Sequence, residues 1–266
     1  MQPITLPTDV SPRMMQIAGT PTAVRRKGNG RPLLFLHGAN FTGRWLPFHE
    51  ELAKGADLIA PDHIGFGATP FQEWLEGFDD LVLHYEELRE EQGLEAFDLV
   101  GYALGGWIAA EYATFYPERV RRLVLITPTG LRLVGRPSCD LMVMNAADHF
   151  DVLFNDQANA GQVRPDLDNV DEAVHQYGEA RTVARLAWNP RYSPKLQRRL
   201  RRVACPTLIV GAEHDRVIPN EMCELYAGSI AGARVERIPG TGHALVIEQP
   251  AKVARLVLDF LGGRDE

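Results

Sequence analysis

Five short apolar runs recur along the chain, each closed by a turn rich in small residues: LLFLHG at 33–38, DLIAPD at 57–62, DLVGYA at 98–103, RLVLIT at 122–127 and TLIVGA at 207–212. They are continuous rather than alternating in hydropathy, as strands buried on both faces of a parallel sheet must be. Amphipathic stretches near 79–92, 104–116, 219–230 and 250–262 follow them. The first of these sets Leu81 and Leu88 on one side and Glu86, Glu87, Arg89 and Glu90 on the other. Strands alternating with helices predict an α/β fold of βαβ units, with a mostly parallel central sheet and helices on both faces. Residues 14–27 are expected to add an antiparallel pair at one edge.

The rhythm breaks between 130 and 203, which carries no buried-strand signal and is too long for a plain connection. This stretch holds Met142, Met144, Phe150, Phe154, Tyr177, Trp188 and Tyr192, and ends in the basic cluster RRLRR at 198–202. It reads as a helical insertion after the sixth strand, dividing a core of 1–129 and 204–266. Its Met and aromatic side chains read as packing, with some expected to line a pocket if the insertion lies over the sheet. The basic cluster reads as a solvated helix face.

Composition narrows the function classes. With 28 Lys+Arg against 35 Asp+Glu, the formal net charge is −7, unsuited to a non-specific nucleic-acid binder. Apolar residues at 45% and charged residues at 24% exclude a disordered chain. No apolar run approaches the roughly 18–20 residues that span a bilayer, and the opening MQPITLPTDVSPRMM lacks a leader pattern. Cys139, Cys205 and Cys223 form neither a metal spacing nor a disulfide framework. The expected setting is the reduced cytoplasm, with a small-molecule substrate, no membrane and no nucleic acid, and with self-association left open. No cofactor or metal is expected, because there is no strand–GxGxxG–helix unit, no P-loop, and FHEE at 48–51 lacks a second zinc-binding His.

Four segments carry the chemistry. GYALGG, Gly101 to Gly106, sits where a strand turns abruptly into a helix, with Ala103 at the tip. Small residues at 101 and 105 allow the strand and helix to approach, as in a nucleophile elbow. The Leu104 N–H would lie at a helix N-terminus, aimed where an oxyanion forms. HGAN, His37 to Asn40, follows another strand, and its turn would offer the Ala39 N–H as a second donor. GAEHDRVIP sets Asp215 just beyond a third strand, and IPGTGHALVIEQP sets His243 in a glycine-rich loop before the last helix. Taken singly, each also reads as an ordinary turn, cap or core residue. Together they gather at the carboxyl ends of parallel strands, where sites form in open α/β sheets.

The order of elbow, acid and histidine resembles the α/β-hydrolase superfamily, from about residue 20 to 262, and PDHIGFG at 61–67 and YPERVRRLVLI at 116–126 are similar to it as well. The resemblance implies an α/β-hydrolase fold whose 130–203 insertion is a cap over the active site. It implies a triad of the residue at 103, His243 as base and Asp215 as its partner, with Ala39 and Leu104 supplying the oxyanion hole. Asp215 follows Gly211 by four residues where three is common, which leaves Glu213 as an alternative acid.

The departure is the nucleophile. The family carries Ser, Asp or Cys there, and an alanine methyl cannot attack a carbonyl. The preferred account is a serine replaced by alanine in a hydrolase for a small to medium apolar ester, lactone or related carbonyl compound. The alternatives are a carbon–carbon bond hydrolase, a cofactor-independent lyase or oxygenase using only the His–Asp pair, and a non-catalytic ligand-binding relative. Ring-cleavage hydrolases often carry a Trp soon after the histidine, and ALVIEQP has none.

Overall fold

The structure, a computed structural model, describes residues 10–144 and 146–263. Residues 1–9, where the absence of a leader was read, and 145 and 264–266, assigned to the insertion and core, lie outside the described residues.

The chain forms an eight-stranded sheet in the order β1-β2-β4-β3-β5-β6-β7-β8. The strands are β1 Arg13–Ile17, β2 Thr20–Lys27, β3 Pro32–Leu36, β4 Asp57–Pro61, β5 Phe97–Tyr102, β6 Val120–Ile126, β7 Thr207–Ala212 and β8 Arg234–Ile238. The β1–β2 and β2–β4 pairs are antiparallel, and every other pair is parallel. The expected edge hairpin is therefore present. Every residue of β5 and β7 is buried, the physical counterpart of their unbroken apolar runs.

The helices of the core are α1 Pro47–Ala53, α2 Phe78–Glu91 and α3 Leu104–Phe115. After β6 come α4 Ala146–Leu153, α5 Gln157–Val163, α6 Val170–Ala187 and α7 Leu196–Arg199, all within the 130–203 stretch. Then follow α8 Glu221–Ser229, α9 Leu245–Glu248 and α10 Pro250–Leu261. On α10, Val253, Ala254, Val257 and Leu261 make one buried stripe, and the helix packs against α1.

Strand order fixes where a site can form. The path steps from β3 to β4 in one direction, then returns across β3 to β5 and runs on to β8. Right-handed crossovers place α1 on one face of the sheet and the crossover helices from α2 onward on the other. The reversal lies between the adjacent strands β3 and β5. Beyond their carboxyl ends a crevice opens, bounded by the turn after β3 and the bend after β5.

The 130–203 stretch is helical, as expected, but its aromatic residues divide. Phe150 and Phe154 are buried and meet Phe41 edge-on, at centroid distances of 6.2 and 6.0 Å. Tyr177 and Trp188 are instead 75% and 61% exposed, which corrects their reading as packing. The basic cluster is only partly a solvated face, because Arg199 pairs with the buried Glu111 of α3.

Candidate active site

Ala103 joins β5 to α3 with φ +50° and ψ −109°. A non-glycine residue in that region costs about 1–3 kcal/mol, so the neighbours must enforce it. They do so through hydrogen bonds on both sides: the Ala103 N–H donates to Ile126 O at 2.9 Å, and its carbonyl accepts from Trp107 and Thr129 N–H at 3.2 and 3.3 Å. A Cβ at Gly101 would lie 2.3 Å from Gly105 O, and one at Gly105 would lie 2.0 Å from Leu36 O. The bend is possible only because both positions lack a side chain. As the first residue of α3, Leu104 presents an N–H with no partner inside the helix.

The acid and the histidine come from two further loops. His243 Nδ1 lies 2.9 Å from Asp215 Oδ2, and both side chains are almost wholly buried. Asp215 Oδ1 accepts the Val217 and Ile218 N–H groups at 2.8 and 2.9 Å, which fixes the carboxylate plane. Glu213 takes no part: it is half-exposed and accepts the Gly240 N–H instead. Tyr102 donates its hydroxyl to the His243 carbonyl at 3.1 Å, tying the histidine loop to the residue before the bend. Glu248 accepts the Gly242 N–H at 2.6 Å and the Asp156 N–H at 2.7 Å, so one carboxylate clamps the histidine loop and the segment before α5. Neither Tyr102 nor Glu248 stood out in the sequence.

The turn after β3 rests on a stack of buried histidines. The rings of His37 and His63 are stacked at 3.7 Å. His37 Nε2 accepts the His63 N–H at 2.9 Å, so its proton sits on Nδ1 and is donated to Gly38 O at 2.8 Å. His63 Nε2 donates to the His37 carbonyl at 2.7 Å, which leaves its Nδ1 to accept the Tyr85 hydroxyl. Both rings are neutral in this scheme. Burial drives the pKa of each below the ordinary histidine value, most strongly at His63, where His37 adds to the effect. Gly38 packs against the bend so closely that a Cβ there would lie 2.9 Å from the Tyr102 ring.

Ala39, Ala103, Leu104 and His243 share the wall of a cavity of about 760 Å³. Asp215 does not line it and stands behind the imidazole. Much of the remaining wall comes from 129–143 and from residues between Val183 and Tyr192, including Met142 and Trp188, with Tyr102, Trp107, Leu153 and Val217 completing it. Asn40 and Thr129 add polar groups that the sequence did not single out. His149, Arg181 and Arg185 lie off the wall: Arg181 covers the Phe71 ring at 3.9 Å, and Arg185 Nε donates to Leu75 O at 3.0 Å. Burial, reinforced by His243, pushes the His149 pKa down. Among the described residues no group of three His, Cys, Asp or Glu side chains is placed to hold a metal ion, and no helix is long and apolar enough to cross a membrane.

Three kinds of similarity accompany this geometry. Residues 33–256 match the profile of the alpha/beta hydrolase family. The 2-hydroxy-6-oxo-2,4-heptadienoate hydrolase of Pseudomonas putida is 28% identical over 267 residues, covering 95% of this chain and 97% of that protein. The monoacylglycerol lipase abhd6-A of Xenopus laevis is 29% identical over 268 residues, covering 90% and 78%. Among solved structures, the meta-cleavage product hydrolase CumD from Pseudomonas fluorescens IP01, in a serine-to-alanine form complexed with acetates, matches with a TM-score of 0.79. It covers 95% of this chain and 98% of that one at 22% identity, a likeness of fold.

Proposed function

The chain belongs to the alpha/beta hydrolase family, and from that membership we propose a serine-type hydrolase site whose nucleophile has been replaced by Ala103. In the active form a serine hydroxyl at 103 attacks a substrate carbonyl. His243 Nε2 takes its proton, and Asp215 holds the ring with Nδ1 protonated and stabilises the imidazolium. The N–H groups of Ala39 and Leu104 receive the negative charge of the tetrahedral intermediate, where one such donor is worth about 3 kcal/mol of barrier. Collapse breaks the bond to the leaving group, which takes the proton from His243. Water then releases the acyl group by the same steps. With alanine in place the first bond cannot form, and the cavity binds substrate without turning it over.

The observation that carries this reading is the strained bend at Ala103, opening into the same cavity as the Asp215-paired His243. An inert junction has no need of that strain. The 130–203 stretch acts as the cap. The relatives are a hydrolase of 2-hydroxy-6-oxo-2,4-heptadienoate in one case and a monoacylglycerol lipase in the other. We favour an ester or lactone of small to medium apolar character, because no Trp follows His243 through Pro250. Three free cysteines suit a cytoplasmic setting.

The test is Ala103→Ser assayed on a panel of esters, lactones and diketones. Hydrolysis should appear and vanish again when His243→Ala is added. No activity across the panel contradicts the proposal. Activity of the unaltered chain, lost on His243→Ala, would instead make the His–Asp pair a base acting alone.

A further inference from the structure

We propose that Trp107 is the end wall that sets how long a group the cavity accepts, and that it closes off a second cleft into which longer groups would otherwise extend. This inference rests on the cavity at Ala103 being the substrate site.

Trp107 lies four residues beyond Ala103, one turn into α3, and both residues line the cavity. Trp107 is only 3% exposed, yet its indole forms part of the cavity wall. The same indole also lines a second cleft of about 500 Å³, whose apolar wall includes Phe78, Phe115 and Leu186. Phe78 stacks on the indole with centroids 3.7 Å apart and planes 18° from parallel. Gly130, in the loop after β6, presses its backbone on the ring: a Cβ there would lie 2.4–2.7 Å from three indole atoms. The indole N–H points to the Glu111 carboxylate at 3.4 Å, and Glu111 is itself paired with Arg199 of α7. Contacts from α2, the loop after β6 and α3 itself hold the ring in one orientation. The indole is a fixed partition between the two spaces, whose walls also share Asn189, Pro190 and Tyr192.

Groups that run from the carbonyl at 103 toward Trp107 therefore stop at the indole. The group selected is an unbranched acyl or alkyl chain, since the wall it meets is an aromatic face and the cleft beyond offers Phe78, Phe115 and Leu186 beside charged residues that include Asp79, Lys195 and Arg199. The Trp107 indole N–H is engaged by Glu111, so Trp107 governs length rather than chemistry.

The chain with Ala103 tests this without turnover. Calorimetric titration with methyl esters of straight-chain acids, from four to ten carbons, should show affinity rising about fourfold per buried methylene and then levelling at one length. Trp107→Ala should carry the rise through at least two more methylenes, about sixteenfold for the longest ester. Trp107→Phe should extend it less, and serves if the alanine variant does not fold. Adding Leu186→Trp to Trp107→Ala, which refills the second cleft, should restore the original limit. Ester binding with the same limit in Trp107→Ala and Trp107→Phe overturns the partition and leaves the hydrolase reading standing. No binding of any ester by the unaltered chain overturns both.

Discussion

Asp215 and His243 meet through a single carboxylate oxygen: Oδ2 lies 2.9 Å from the imidazole Nδ1, while Oδ1 is fully engaged by the Val217 and Ile218 N–H groups. The division separates two duties, holding the loop and holding the ring. Asp215→Asn can keep the first, because an amide oxygen still accepts both N–H groups. It cannot keep the second, because its NH₂ would face Nδ1 and force the wrong tautomer. In the Ala103→Ser background this change should lower kcat by about four orders of magnitude. The melting temperature should move far less than kcat does, and both can be measured on one preparation.

The glycines of the bend make a second prediction. Gly105→Ala drives a methyl to 2.0 Å from a backbone carbonyl of β3, which cannot move aside without disturbing the sheet. It should cost about 3 kcal/mol in denaturant unfolding. Gly228→Ala is the control, since it lies in α8 with nothing within 4 Å of the added methyl. It should stabilise by about 0.5–1 kcal/mol.

Acid should destabilise the fold through its buried histidines. Burial lowers the His49 pKa to about 3 and the His84 pKa to about 4. Below the unfolded value near 6.5, the unfolded chain takes up protons that the folded chain refuses, so stability falls as pH drops. The loss begins near pH 6.5 and continues down to those two folded values. At pH 5 each of the two groups should account for about 2 kcal/mol. His37 and His63 shift in the same direction and add to the loss. Urea unfolding at pH 7.5 and pH 5 measures it, and His49→Gln should flatten the slope. Equal stability at the two pH values would contradict the buried, neutral assignment.

The hydroxyl of Tyr85 supports the turn after β3 at one remove. Tyr85→Phe removes the donor to His63 Nδ1 and leaves that nitrogen buried and unpaired. The expected cost is about 1–3 kcal/mol of stability. In the Ala103→Ser background kcat should fall more than KM rises, because the main duty of the turn is to aim the Ala39 N–H at the charge that forms in the transition state. A matched rise in KM would place the effect in the cavity instead.

Legibility followed burial. The strands enclosed on both faces announce themselves as unbroken apolar runs, and all five predicted runs are strands of the sheet. The last strand was not predicted: RVERI at Arg234–Ile238 is an edge strand with only Ile238 buried, so its polar residues hide it. The seven-residue α1 is too short to show a period. Ala103, Asp215 and His243 stand out because each follows a strand or lies in a glycine-rich turn. Tyr102 and Glu248 do not, because their roles are hydrogen bonds to loops distant in sequence. Trp107 is hidden for another reason, since a buried aromatic on a helix reads as core whether or not a cavity lies against it.

The role proposed for His243 is to serve a nucleophile at position 103. Mass spectrometry of the Ala103→Ser protein after treatment with a fluorophosphonate tests it most directly. One adduct per chain is expected at residue 103, none on the chain carrying Ala103, with labelling slowed at least about a thousandfold by His243→Ala. A folded Ala103→Ser protein that resists the reagent, or labels equally fast without His243, would contradict it.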